Sequence, residues 1–340
     1  MLERPDLPEE RISACLQDEF SLDAAQVSFL PLGADRNTAV YRATAQDRKA
    51  YFVKLRGGAF NTISLALPKF LSEQGITPII PPLATRSGQL WAALGDFKLM
   101  AYPFIESRNA YEVGLSDQQW SDLGAALNQI HTIKLPLNLS RRIPREAYSD
   151  VWRAKLRGYQ ALVDTTKFHD PLAAELANTI KARRKMIVDL GQRAEHLAHG
   201  LLERPPQFVL CHADLHAGNI LIENSGAFFI VDWDEPILAP KERDLMAIGA
   251  GLFGDWRTPQ EEETPFYRGY GQASINLEAL AYYRCERIID DLAVECEQIL
   301  LTSGGGRDRE QAFTFFKSNF LPGGTIELAY RSDQIRGKNG

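Results

Sequence analysis

Three oxygen-bearing side chains, Asp214, Asn219 and Asp232, stand in two short segments of this chain: Cys211-His212-Ala213-Asp214-Leu215-His216-Ala217-Gly218-Asn219 and Ile230-Val231-Asp232-Trp233-Asp234. Carboxylate and amide oxygens are hard ligands, and magnesium binds through one or two such groups while keeping phosphate oxygens in its other positions. Phosphoryl transfer from ATP needs that kind of charge neutralisation, and it needs an acceptor hydroxyl oriented near a base. Asn219 and Asp232 can supply the metal oxygens. Asp214 precedes Asn219 by five residues, on a loop leading into a strand. Asp232 follows Asn219 by thirteen, enough for one short hairpin that returns the chain to the same place. All three side chains can then meet at one mouth. Singly each would mean little, because Asx residues mostly cap helices and turns.

The elements around these residues are legible from periodicity. Residues 8 to 20 read as a helix, with Ile12, Leu16 and Phe20 at i, i+4 spacing. Strand patterns follow at 27–32, 37–45 and 50–55, the last two joined by the turn Gln46-Asp47-Arg48. A helix is expected over 62–74, ending at Gly75, and strands near 89–94 and 97–105. Beyond Ile105 the pattern turns helical. Ser116 caps a helix over 116–132 whose apolar stripe is Trp120, Leu123, Leu127 and Ile130. Helical patterns also fill 145–165, 170–202, 243–253, 260–271 and 277–301, with short strands at 219–223 and 228–231. A small β-rich lobe over 1–105 is thus followed by a larger helical lobe over 106–340, and clefts between lobes are usual cofactor sites.

Composition narrows the class. Net charge is -6, which argues mildly against nucleic-acid binding and fits a site for cationic ligands, although most acidic proteins simply have solvated faces. Cys15, Cys211, Cys285 and Cys296 have neither zinc-knuckle nor redox spacing. The start lacks the regions of a signal peptide, and no apolar run is long enough to span a membrane, so a cytoplasmic protein without membrane partners is expected. His212 and His216 flank Asp214, but no fourth zinc ligand accompanies them, and His212 reads as a brace beneath the loop. Asp244 reads as a helix cap that also pins the catalytic loop. Oligomeric state is not legible.

The order His-x-Asp-x-x-x-x-Asn followed by Asp232 is the protein-kinase-like arrangement. Together with Asp232-Trp233-Asp234-Glu235-Pro236, Ala239-Pro240-Lys241-Glu242-Arg243-Asp244-Leu245-Met246, Ala101-Tyr102-Pro103-Phe104-Ile105 and Gly33-Ala34-Asp35-Arg36-Asn37, it resembles the aminoglycoside phosphotransferase family. The resemblance implies an α+β, bilobal, protein-kinase-like fold, with ATP and Mg2+ as cofactors. It implies that Asp214 orients or deprotonates the acceptor hydroxyl, and that Asn219 and Asp232 hold magnesium. Lys54 would pair with the α- and β-phosphates, the loop carrying Asp35 and Asn37 would lie at the phosphates, and Met100, Ala101, Tyr102 and Phe104 would form the hinge that meets adenine. Pro103 has no N–H, so a donor must come from Tyr102 or Phe104. The glutamate that braces such a lysine is not evident; between Lys54 and Ser72 there is no acid, and Glu73 stands at its helix end.

The acceptor implied is an aminocyclitol or aminoglycoside antibiotic, spectinomycin first among them, with resistance as the consequence. Tyr283, Glu286, Arg287 and Asp290 share a helical face, and Glu286 or Asp290 could hold a protonated amine; the alternative is a salt-bridged surface helix. Trp256 and Tyr267 are pocket candidates, with core packing the alternative. Asp234 is open between contact with metal or substrate and capping of its turn. Two other functions remain open: a metabolic kinase of the same fold acting on an amino alcohol or sugar, and a catalytically weak kinase-like binding protein.

Overall fold

The computed structural model describes residues 4–32, 37–254, 256–302 and 306–334. The architecture is α+β, with an antiparallel sheet in the N-terminal region and a helical C-terminal region. The chain divides into two compact units. One comprises Met1–Asp122, Ala126–Ile143 and Ala217–Pro236; the other comprises Leu123–Ala125, Pro144–His216 and Ile237–Gly340. Among the described residues no helix is long and apolar enough to cross a membrane.

The first unit is built on helix α1 (Glu9–Phe20) and strands β1 (Ala24–Leu30), β2 (Thr38–Ala45), β3 (Ala50–Gly57), β4 (Ala92–Leu94) and β5 (Phe97–Pro103). The strand order is β1-β2-β3-β5-β4, and every neighbouring pair is antiparallel. Successive side chains on a strand point to opposite faces. Ala39, Tyr41 and Ala43 of β2, Val53 and Leu55 of β3, and Leu99 and Ala101 of β5 therefore pack together against Ile12, Leu16 and Phe20 of α1. The alternate positions, among them Val40, Phe52, Lys54 and Tyr102, are left for the other face. β4 is shorter than the 89–94 pattern suggests. A turn takes up its start: Thr85 N–H donates to the Gln89 carbonyl, Gln89 N–H donates to the Thr85 hydroxyl, and Gly88 sits at φ 80°.

Helix α2 (Ile63–Glu73) stops before Gly75, whose φ of 82° suits glycine alone. A further strand, Ser107–Asn109, pairs with Ile220–Glu223, which in turn pairs with Phe228–Ile230. Its polar residues carry no apolar alternation, so only the pairing reveals it. Ser116 caps helix Asp117–Thr132 in a capping box with Gln119.

In the second unit, helices Val151–Thr165, Pro171–Glu203, Gly306–Ser318 and Thr325–Gln334 gather around Leu277–Leu300. Leu156, Ile180, Leu190, Ile289, Leu292 and Phe316 are part of one buried core. The last two helices escape a periodicity reading because polar groups are buried within them. Arg309 is buried through an ion pair with Asp170 at 2.8 Å and a bond to the Ile299 carbonyl at 2.7 Å. The helix expected over 243–253 is corrected: only Glu242–Leu245 is helical, and turns follow. Gly249, Gly251 and Gly254, at φ 68°, 77° and 84°, break it, as left-handed residues cannot extend a helix.

Glu295 lies in this core, its Oε2 buried without a hydrogen-bond partner among the described residues. Burial first, and then the Asp291 charge, push its carboxyl up to about 9. The unfolded chain loses this proton near the ordinary glutamate value, so the folded state loses stability as pH rises from there to about 9. Glu295→Gln keeps the shape and removes the titration. Denaturant unfolding is expected to show the variant about 1–3 kcal/mol more stable than the parent at pH 9, with the difference shrinking toward pH 5.

Candidate active site

The first unit contains a cavity of about 610 Å³. Val40, Phe52, Lys54 and Tyr102 line it from the sheet, and Asn219, Leu221, Ile230, Asp232 and Asp234 from the hairpin side. The hairpin is tied down by backbone bonds: Ile230 N–H donates to the Pro78 carbonyl at 2.8 Å, and Val231 N–H to the Asn219 carbonyl at 3.0 Å. The chain then turns sharply. Asp232 adopts φ 64°, an uncommon conformation for a residue with a side chain. Trp233 is buried, and its indole N–H donates to the Ile230 carbonyl at 3.1 Å. Both flanking aspartates then reach Lys54. Its Nζ lies 2.7 Å from Asp234 Oδ2 and 3.5 Å from Asp232 Oδ1. Arg56, two residues on along the same face of β3, places Nη1 2.8 Å from the same Asp234 oxygen. Burial and then the charges of Asp234 and Asp232 push the Tyr102 hydroxyl well above its ordinary range.

Asp214 belongs to the second unit. Strand Val209–Cys211 pairs with Ile237–Ala239 and delivers the loop. Asp244, fully buried, accepts from His212 N–H at 2.9 Å and from Ala213 N–H at 2.8 Å, holding Ala213 at φ 76°. The sequence suggested Asp244 as a helix cap that also pins the loop; it sits inside Glu242–Leu245 rather than capping it, and its carboxylate holds the loop backbone as expected. His212 Nδ1 accepts from Asp214 N–H at 3.3 Å, so this ring braces the loop from below. The Asp214 carboxylate meets Arg287 Nη1 at 2.6 Å and His216 Nε2 at 3.5 Å. Burial would raise its pKa, but His216 and Arg287 outweigh burial and hold it well below the usual carboxylate range. Arg287 is itself held by Asp291 at 3.0 Å.

A model of the phosphotransferase enzyme family matches residues 28–285, well over half of the chain. The chain belongs to this family. A crystal structure of spectinomycin phosphotransferase in complex with ADP and spectinomycin superposes with a TM-score of 0.89 at 35% identity, covering 97% of this chain and 100% of that one. The AMP-bound complex of spectinomycin phosphotransferase gives a TM-score of 0.84 at 34% identity over 96% and 99%. Protein StrN of Streptomyces griseus is 25% identical over 252 residues, 71% of this chain and 74% of that protein. The chain is a phosphotransferase with an alcohol group as acceptor, a small-molecule kinase.

Within the phosphotransferase, Lys54, Asn219, Asp232, Tyr102 and Phe104 line this same cavity. Met100 is buried opposite Lys54 in the β3–β5 pairing. Ala101 faces the core instead, and its carbonyl accepts from Leu83 N–H at 2.8 Å. Phe104 is corrected as a backbone donor to adenine: its N–H is already given to the Ala50 carbonyl at 3.0 Å, and its side chain lines the cavity. Asn37 is exposed, and its carbonyl accepts from Gly57 N–H at 2.8 Å. Asp35 lies outside the described residues. Glu73, at the end of its helix, pairs with Lys69 at 3.1 Å.

Among the acceptor candidates, Glu286 is corrected. It is buried and bound to Arg153 at 2.5 Å, and burial, partly offset by Arg153, pushes its carboxyl up to about 7. It faces the helix core rather than an incoming amine. Asp290 is half-buried, Trp256 is exposed, and Tyr267 packs edge-on against Phe266 at 5.2 Å. Arg56 and the Arg287–Asp214 contact were missed. The two-residue strand period from Lys54 points to Arg56, whereas nothing in the sequence signals that Arg287 meets Asp214.

Asp244→Asn replaces one acceptor oxygen with a donor facing a backbone N–H. A loss of about 2–3 kcal/mol in denaturant unfolding is expected, as for a buried charge-assisted bond. Arg287→Gln is expected to raise the Asp214 carboxyl toward the ordinary range, read by carboxyl NMR titration, and to slow turnover by about 10- to 100-fold through loss of orientation.

Proposed function

We propose that this kinase transfers the γ-phosphoryl group of ATP to a hydroxyl of spectinomycin or a closely related cationic aminocyclitol. The observation that carries this reading is the match along nearly the whole chain to spectinomycin phosphotransferase bound to ADP and spectinomycin. The cavity of the first unit supports the nucleotide half. Its apolar surfaces, Val40 and Phe52 from the sheet and Leu221 and Ile230 from the hairpin, suit a purine ring, and Lys54 supplies the charge for the α- and β-phosphates.

Asn219 and Asp232 present hard oxygens to the same cavity as Lys54, a donor set that fits magnesium. These two residues would hold the ion, which when bound would neutralise charge on the phosphate oxygens. Asp214 would accept the hydrogen bond, and finally the proton, of the acceptor hydroxyl. Because Arg287 and His216 keep it ionised and weakly basic, its contribution is orientation more than proton pull. A cationic acceptor is consistent with the net charge of -6 and with Asp290 and Asp291 on the helix that carries Arg287. Acting in the cytoplasm, such a reaction would inactivate the antibiotic.

The test is ATP-dependent phosphorylation, with magnesium, of spectinomycin, several aminoglycosides, choline and simple sugars. Spectinomycin is expected to turn over and choline is not. Asp214→Asn is expected to bind ADP as the parent does while turnover falls by about 10²- to 10⁴-fold. Turnover of choline or a sugar with spectinomycin inert would sink the acceptor assignment.

A further inference from the structure

In kinases the phosphate-binding lysine is held by a glutamate from a neighbouring helix, and the ion pair must be in place for activity. Here helix α2 offers no such group. Its one acid, Glu73, is the last residue and pairs with Lys69 on the surface. Lys54 is nevertheless poorly solvated, its side chain 15% exposed, and an ammonium in that state requires a charged partner. That partner is Asp234.

We infer that Asp234 is the positioning residue for Lys54, taking the task that a helix glutamate performs elsewhere; the inference rests on the nucleotide reading above. Asp232, the proposed metal ligand, lies only 3.5 Å from the lysine. Were Asp234 absent, Lys54 would close on Asp232 and compete with the ion for its carboxylate. Asp234 draws the lysine away at 2.7 Å, and Arg56, sharing the same oxygen at 2.8 Å, anchors Asp234 in turn. The left-handed Asp232 and the buried Trp233 fix the turn that presents both carboxylates to β3. Lysine and metal ligand are thereby set by one rigid turn, so α2 need not move to assemble the site.

The test is a double-mutant cycle over the parent, Lys54→Met, Asp234→Asn and the double variant. Each protein's ADP binding is followed by calorimetry across a magnesium titration, a readout that needs no acceptor. Asp234→Asn is expected to raise the magnesium concentration for half-maximal ADP binding by about tenfold, and this rise should vanish in the Lys54→Met background, as coupled residues are non-additive. Asp234→Glu, which keeps the charge, should restore the requirement to within about threefold of the parent. A rise that persists without Lys54 makes Asp234 a metal ligand and overturns the inference. So does the absence of any rise while Lys54 is present, or failure of Asp234→Glu to restore binding in a protein with an unchanged melting temperature. If the parent itself does not bind ADP, the nucleotide reading fails and the inference falls with it; a failure confined to the spectinomycin assay leaves this cycle readable.

Discussion

A cation removed from water must be matched by an anion, and the ammonium of Lys54 imposes that constraint on the first unit. The lysine's place on β3 follows from strand alternation: the odd positions are claimed by the core against α1, so Phe52, Lys54 and Arg56 face the other way. Once there, the two cations need carboxylates, and the Asp232-Trp233-Asp234 turn provides them. The strained φ of Asp232 is tolerated because the Trp233 indole and the backbone bonds of Ile230 and Val231 over-determine the turn. Charge balance and backbone strain are thus linked in one short segment.

The second unit meets a similar problem with the sign reversed. Asp244 is a fully buried carboxylate, and two backbone N–H groups satisfy it. In doing so it fixes the path of the loop that carries Asp214. Asp214 then finds Arg287, which stands between it and Asp291, so the charges along this helix face alternate. The same helix holds Glu286 against Arg153 and leaves Glu295 nearly neutral in the core. A helix that reads as a charged acceptor surface is therefore divided, with Arg287 turned toward Asp214 and Glu286 spent on internal packing.

Much of the framework was legible. The meander of β2 and β3, the helix capped by Ser116 and the long helix from Leu277 to Leu300 follow from period and capping chemistry, and their observed bounds lie within a few residues of the pattern. Failures have identifiable causes. The stretch after Leu245 has helical composition, but three left-handed glycines decide it. Ser107–Asn109 has no strand pattern and forms one because Ile220–Glu223 offers a free edge. Helices Gly306–Ser318 and Thr325–Gln334 bury polar residues whose partners, such as Asp170 for Arg309, are distant in sequence.

For the site, residue types and spacing alone determined which segments could carry the chemistry. A base-type aspartate, an amide and a second aspartate in fixed order are local properties, and so is a lysine on a strand. Pairing was decided only by tertiary structure. Asp234 rather than Glu73 holds Lys54, Arg153 claims Glu286, and Arg287 reaches Asp214, across separations of up to 180 residues. The physical reason is that a long charged side chain can accept any opposite charge within reach, and reach is set by the packing of apolar faces that the charges themselves do not encode.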